Sequence, residues 1–129
     1  MPKKAAHVEK GSGGSMNKDA EINIFMSLDY IRNNASAMAV AKAQRVYMEE
    51  YRKTVKALLM QKAEAAGAKA SATQEREAYA HTEYQAHLVA LQVAVETEEY
   101  YRWMLVAAQA KIEVWRSLES SRRIEAKTL

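Results

Sequence analysis

The residues of this chain that could do chemistry are few, and none of them completes a metal site. Glu83 and His87 are four residues apart, a spacing that places two ligands on one side of a helix, and His81 lies nearby. A further carboxylate or histidine in register with this pair is missing. We therefore expect a solvated helix surface here and no bound metal.

Catalytic side chains are equally incomplete. Glu96, Glu98 and Glu99 are close enough to act as paired acids, but a charged, exposed helical turn explains them better. No Gly-x-Ser-x-Gly turn is present to carry a serine nucleophile, and the chain has no cysteine. We expect no enzyme activity and no cofactor.

Basic residues cluster between positions 42 and 62, where only Glu49 and Glu50 oppose them. The cluster consists of Lys42, Arg45, Arg52, Lys53, Lys56 and Lys62. Tyr47 and Tyr51 interleave with it, and a basic helix with aromatic side chains suits phosphate contact and base stacking. These six residues are the predicted nucleic-acid-binding site. The alternative is a solvated surface whose tyrosines point into the core.

The elements that position these residues should be helices, because turn residues are scarce. The chain has 4 Gly and 1 Pro, and of these Pro2, Gly11, Gly13 and Gly14 lie within the first fifteen residues. Gly67 is the only breaker in the remainder. A sheet protein would need turn residues far more often. We predict an all-α fold, a long helical hairpin or bundle that is completed by oligomerisation.

Residues 1–15 differ in character from the rest of the chain. They include the run Gly-Ser-Gly-Gly-Ser, which is typical of a flexible linker, and Met16 follows it directly. They also contribute +2 of the net charge of +3, so the overall charge is weak support for a nucleic-acid partner. We expect a flexible leader or expression tag at 1–15 and a single helical domain at 16–129. No apolar run is long enough to cross a membrane, and no membrane partner is expected.

The first half of the domain predicts two helices. The first should begin near Asn17 or Asp19, and a break is expected over residues 33–36, where Asn and Ser compete for backbone groups. The next helix should end near Gly67. Its apolar side should carry Val40, Ala43, Tyr47, Tyr51, Val55, Leu58 and Leu59.

The second half predicts a short helix and a long one. Residues 71–74 and 82–85 both match the spacing of a capping box. We therefore expect a short helix over 72–80, a kink near His81 and a long helix over about 83–126. Such a long rod would project into a partner or pair with itself.

The long helix carries two apolar stripes in different registers. The first consists of Tyr84, Leu88, Leu91 and Val95, and its continuation would place Glu98 and Arg102 in the packed seam. The second consists of Tyr101, Leu105, Ala108, Ile112 and Trp115. This predicts that the buried surface shifts round the helix between Val95 and Tyr101. Tyr101, Leu105, Ile112 and Trp115 are the predicted homo-oligomer interface, with a folded-back first helix as the alternative cover.

Three segments carry a family resemblance: residues 45–53 (RVYMEEYRK), 74–81 (QEREAYAH) and 107–117 (AAQAKIEVWRS). Together they resemble a family of small helical proteins of uncharacterised role from tailed temperate phages, often encoded near recombination and replication genes. In that family a proline follows the position of His81, where this sequence has Thr82. The resemblance supplies no catalytic residues and implies a setting in phage DNA metabolism, in the cytoplasm of a bacterial host cell.

These observations predict a non-catalytic phage accessory protein of DNA recombination or replication. It would bind DNA or a DNA-processing protein through the basic helix. The alternative is a protein-binding inhibitor or adaptor that acts on a host nuclease or defence complex and needs no nucleic acid.

Overall fold

The structure is a computed structural model that describes residues 23–128. It contains three α-helices in chain order: α1 (Ile24–Ala65), α2 (Ser71–Ala80) and α3 (Thr82–Thr128). No strand occurs among the described residues, and the predicted all-α class is confirmed. With 42 and 47 residues, α1 and α3 are rods roughly 60–70 Å long.

The two long helices form an antiparallel hairpin. Near the connecting segment the ring of Tyr51 lies 5.8 Å from the ring of His87. Towards the other end Ile31 and Ile112 line the same cavity. Residues of α1 with increasing numbers therefore contact residues of α3 with decreasing numbers. The short helix α2 packs mainly on α1, beside the connecting end of the hairpin.

An asparagine caps the start of α1. Asn23 has extended backbone angles, and its side-chain oxygen accepts a hydrogen bond of 3.1 Å from the backbone N–H of Met26. This satisfies one of the backbone donors that a helix leaves unpaired at its start. The predicted starts at Asn17 and Asp19 lie outside the described residues.

The predicted break over residues 33–36 is wrong, because α1 continues through this segment without interruption. The Asn34 side chain was expected to compete with the helix, but its Nδ2 donates a 2.9 Å hydrogen bond to the carbonyl oxygen of Tyr30. That bond lies along the helix and leaves the backbone ladder intact. Packing against α3 then outweighs the weak helix propensity of these residues.

Gly67 ends α1, as predicted. Its φ of +114° lies in the left-handed region that a residue with a Cβ rarely adopts. The chain can turn there because the N–H of Ala68 reaches back 2.9 Å to the carbonyl of Ala63. This bond satisfies a carbonyl that the last helical turn would otherwise leave open.

The short helix is present over Ser71–Ala80, so the predicted helix over 72–80 is confirmed. The predicted capping box at its start is wrong, because Ser71 is already helical and Ala70 occupies the cap position. Gln74 instead donates from Nε2 to the carbonyl oxygen of Ala68, at 2.9 Å. The glutamine therefore holds the connecting loop and does not cap the helix.

The predicted kink at His81 is confirmed by its extended backbone angles. The predicted capping box over 82–85 is wrong, since Thr82 is the first helical residue of α3. His81 performs the capping itself: its Nδ1 accepts a 3.0 Å hydrogen bond from the N–H of Glu83. The imidazole therefore occupies the position where serine, threonine or asparagine is more usual.

The buried side of α3 follows one uninterrupted heptad. The buried or half-buried residues at this spacing are Tyr84, His87, Leu91, Ala94, Glu98, Tyr101, Leu105, Ala108, Ile112, Trp115 and Glu119. Steps of three and four alternate throughout, as in a coiled coil. The predicted register shift is wrong because Glu98 itself occupies the seam. Leu88 and Val95, assigned to the first stripe from the sequence, are 39% and 38% exposed.

The seam between the helices is narrow. Its most buried apolar residues are Ala41, Leu59, Ala94 and Ala108, while Ala78 of α2 is buried against the hairpin. No large side chain among the described residues is fully buried. Alanines allow the two backbones to approach closely, but they leave the bulkier side chains outside the seam. A two-helix layer of this kind has two open sides.

Leu59 is the largest side chain of the buried set, and truncating it should be costly. We expect Leu59→Ala to lower the free energy of unfolding by about 2–4 kcal/mol, because it leaves a cavity in the seam. The matched control is Leu88→Ala, at a residue that is 39% exposed, which should lose about 1 kcal/mol. Urea unfolding followed by helical circular dichroism measures both. Equal losses would contradict the described seam.

Candidate interaction surface

An ion pair crosses the middle of the seam. The Arg45 guanidinium of α1 donates to both carboxylate oxygens of Glu98 of α3, at 2.5 and 3.3 Å, and to Glu49 one turn along at 2.9 Å. The side chains of Arg45 and Glu98 are 25% and 19% exposed. The sequence predicted Glu98 in an exposed charged turn; the structure places it in the seam instead.

The protonation of this pair follows from its geometry. Hydrogen bonds from Arg45 lower the pKa of the Glu98 carboxyl below its ordinary 4.5, although partial burial opposes the shift. In return, the hydrogen bonds to Glu98 and Glu49 raise the pKa of Arg45. Both groups are therefore held in their charged forms, as a two-point charge-assisted contact requires.

Most of the predicted nucleic-acid-binding residues are paired with acids. Besides Arg45, three lysines lie within ion-pair distance of a carboxylate: Lys56 of Glu75 at 2.6 Å, Lys53 of Glu50 at 3.3 Å and Lys62 of Glu83 at 3.7 Å. Among the described residues no carboxylate lies within 4.0 Å of Lys42 or Arg52. The cluster therefore offers less uncompensated positive charge than its sequence suggests.

The tyrosines expected to interleave with these basic residues point elsewhere. Tyr47 is two positions from Arg45, which is about 200° round a helix. Its ring stacks on Tyr51, with centroids 5.6 Å apart and planes 12° from parallel. The aromatic residue beside the basic cluster is Tyr79 of α2, whose ring lies 4.7 Å from Nζ of Lys56. The structure therefore separates Tyr47 from Arg45, and nucleic-acid contact by the basic cluster stays a prediction.

His81 and His87 have structural partners. His81 caps α3, and Nε2 of His87 lies 2.7 Å from the carbonyl oxygen of Met48 on α1. The ring of His87 therefore joins the two long helices. Within residues 23–128 no group of three His, Asp or Glu side chains is placed to hold a metal ion.

The predicted oligomer stripe lies on the seam side of α3. Tyr101, Leu105, Ile112 and Trp115 are all half-buried. Tyr101 lines a groove with Ala41, and Ile112 lines a cavity with Ile31. The first half of α1 covers this stripe as part of one continuous helix, and not as the separate folded-back first helix that the sequence offered as the alternative. The register shift that seemed to require a second copy at this stripe is absent; a role of these four residues between copies stays a prediction.

A groove of about 690 Å³ opens along one side of the hairpin. It is lined by Ala37, Val40, Ala41, Gln44, Met48, Ala90, Val93, Ala94, Thr97 and Tyr101. None of these side chains is charged. Alanines form the floor, while Val40 and Val93 stand at its edges, 63% and 54% exposed.

Helical spacing extends this groove into a longer surface without charge. We define the uncharged face as Ala37, Val40, Gln44, Tyr47, Tyr51, Thr54 and Leu58 of α1 with Ala86, Ala90, Val93, Thr97, Tyr100, Met104 and Ala107 of α3. Tyr47 and Tyr100 are each 60% exposed on it, and Leu58 is 52% exposed. The opposite side of the hairpin, which we call the charged face, carries Lys42, Arg45, Glu49 and Lys56.

The sequence contained this surface but assigned it a different role. The apolar side predicted for this helix carried Val40, Ala43, Tyr47, Tyr51, Val55, Leu58 and Leu59. The structure buries Leu59 of this set, together with Ala41 outside it, and leaves Val40, Tyr47, Tyr51 and Leu58 exposed. A helical period of apolar residues shows which side of a helix is apolar, but it does not show whether another helix of the same chain packs on that side.

A search among protein-family models, curated proteins and solved structures finds no match to this chain. The resemblance to phage proteins therefore stays a prediction. Within the described residues no helix has the length and apolarity needed to cross a bilayer.

The seam ion pair can be tested with a double-mutant cycle. Arg45→Met alone should lower the melting temperature, because it leaves the Glu98 carboxylate in the seam without its partner; Glu98→Leu alone should lower it less, because Arg45 keeps Glu49. The double variant should recover most of that loss, since apolar side chains of similar volume fill the same space. The control is the exposed pair Arg102 and Glu99, whose side chains are 52% and 44% exposed; its removal should change little.

The same variants carry a pH signature. The folded pKa of Glu98 lies below 4.5, so its stabilising contribution is present above about pH 4.5 and is lost as pH falls through the folded pKa. Thermal melts between pH 7 and pH 3 should therefore show the wild type losing melting temperature faster than the Arg45→Met, Glu98→Leu variant. Parallel losses would mean that Glu98 carries no special proton linkage.

Proposed function

We propose that this chain acts by binding another polypeptide, as a helical adaptor whose uncharged face packs against partner helices. The observation that carries the proposal is the open uncharged face, where Val40, Tyr47, Val93 and Tyr100 are each more than half exposed. Soluble monomers rarely expose contiguous apolar patches of this kind, and such patches commonly mark interaction sites. The groove between α1 and α3 has the form into which an amphipathic helix fits.

The charged face is a poorer candidate for the binding surface than the uncharged face. Its cations are largely compensated by acids within the hairpin, so it resembles an ordinary solvated surface. The uncharged face offers tyrosines, methionine and valines around an alanine floor. Aromatic residues and Met are enriched in protein interfaces, and charged residues are depleted from their centres.

The cellular setting we propose is the one implied by the family resemblance, phage DNA metabolism in a bacterial cytoplasm. The partner class is then a DNA-processing protein, or a host nuclease or defence complex that the adaptor inhibits. In either case the contribution of this chain is to hold helices together, and no residue of it takes part in a reaction.

Direct DNA binding is the second candidate. It is supported by Lys42 and Arg52, which make no ion pair with the described residues, and by Lys53, whose side chain is 74% exposed. Displacing the acids from Arg45, Lys56 and Lys62 would cost part of the affinity that phosphate contacts supply. This candidate is therefore weaker than protein binding.

A photo-crosslinking amino acid distinguishes the two surfaces. Benzoylphenylalanine at Val93 on the uncharged face should give discrete polypeptide adducts in bacterial cells that express the chain. The same label at Val95, two residues away on the other side of α3, is the matched control and should give few. Adducts of equal yield at both positions, or none at Val93, would contradict binding through the uncharged face.

The DNA candidate is tested in parallel with labelled single- and double-stranded oligonucleotides. We expect no affinity tighter than the ~10⁻⁴–10⁻⁶ M that is typical of non-specific binding. A stronger, salt-dependent affinity that is lost in a Lys42→Ala, Arg52→Ala variant would instead establish the basic cluster as the functional site.

A further inference from the structure

We propose that the occupant of the uncharged face is a second copy of this chain, so that two hairpins pack groove to groove in a four-helix bundle. This inference rests on the proposed function and narrows it, since it names a second copy, in place of a DNA-processing or host protein, as the polypeptide that the uncharged face binds. It also moves the interface between copies away from Leu105, Ile112 and Trp115 of the predicted stripe, of which only Tyr101 lines the groove.

The lack of charged residues in the groove favours a second copy as the occupant. In a two-fold dimer the same patch of both copies meets itself, so each charged residue near the axis faces its own like charge. The groove at the centre of the face is lined by no Asp, Glu, Lys or Arg, and charge begins beyond its end, where Glu83 lines the adjoining cavity with Tyr51, Leu58 and Ala86. Two copies can therefore bring their grooves together without placing like charges against each other. A partner with a basic or acidic helix would find no countercharge here.

The distribution of side-chain size is the second argument. Near the connecting end the bulky residues lie on α1, where Tyr47 and Tyr51 stand beside the small Ala86 and Ala90 of α3. Towards the other end this order reverses. There Tyr100 and Met104 of α3 stand beside Ala37 and Val40 of α1, whose side chains are smaller.

A two-fold axis that runs along the hairpin places α1 of one copy over α3 of the other. Tyr47 and Tyr51 of each copy then lie over Ala86 and Ala90 of its partner, while Tyr100 and Met104 lie over Ala37 and Val40 at the other end. This alternation of large and small residues is what allows the layers of a bundle to interdigitate.

The available area is the third argument. From Ala37 to Leu58 the face is about 33 Å long at 1.5 Å per residue, and two helices 8–10 Å apart make it roughly 20 Å wide. Each copy thus offers about 650 Å², and a dimer would bury about 1,300 Å². Stable interfaces bury roughly 1,200–2,000 Å² in total. The face is large enough for a second hairpin.

The test is the mass of the full chain in solution, measured by light scattering after size exclusion at micromolar concentration. We expect 29 kDa, twice the 14.5 kDa of one chain. Val93→Lys should weaken dimerisation at least tenfold and give a monomer, because it buries two charges per dimer without partners. Val95→Lys on the opposite side is the matched control and should remain a dimer. Circular dichroism of both variants verifies that the helices persist.

The outcomes separate this inference from the proposed function. A monomeric wild type at up to about 100 μM overturns the dimer, whereas adducts from Val93 to a different polypeptide would still uphold binding through the face. A dimer that survives Val93→Lys but dissociates in Trp115→Glu would move the interface to the Tyr101–Trp115 stripe and also overturn the inference. If Val93→Lys unfolds, Val40→Lys at the other edge of the groove replaces it, with the same expected monomer.

Discussion

The contact between Arg45 and Glu98 sets the arrangement on which the rest of this structure depends. It joins the two long helices at mid-length, within a seam whose other buried positions are mostly small or apolar. Sliding α3 by one turn along α1 would separate Glu98 from Arg45 and leave its carboxylate partly buried without a partner, a costly state. An apolar seam alone would tolerate several registers; a single polar pair in such a seam selects one of them.

Once the register is set, the distribution of charge follows. The helix side that carries Arg45 and Glu49 leads outward to Lys56 and its partner Glu75, so the compensated ions gather on the charged face. The opposite side receives the alanines, valines and tyrosines. The uncharged face is thus a second consequence of this pairing, and it remains exposed because two helices alone cannot bury it.

Local signals in the sequence predicted much of this fold. The lack of Gly and Pro indicated long helices, Gly67 marked the end of α1, and the kink at His81 was placed correctly. The failures were non-local. Glu98 interrupts the apolar period of α3 and therefore indicated a register shift. Its place in the seam follows only from its partner Arg45, which lies 53 positions earlier in the chain. The predicted break over residues 33–36 was wrong for a related reason, since packing on α3 outweighed the low helix propensity of Asn34.

The central claim is that α1 and α3 pack as one continuous hairpin in the register set by Arg45 and Glu98. Because the chain has no cysteine, spin labels can be attached selectively through Ala35→Cys on α1 and Gln109→Cys on α3, on the same side of the seam. Because the helix axes lie about 8–10 Å apart, we expect one narrow distribution of label-to-label distances near 20 Å, unchanged on dilution with unlabelled protein. A broad distribution centred beyond about 40 Å, or a short distance that disappears on dilution, would contradict it.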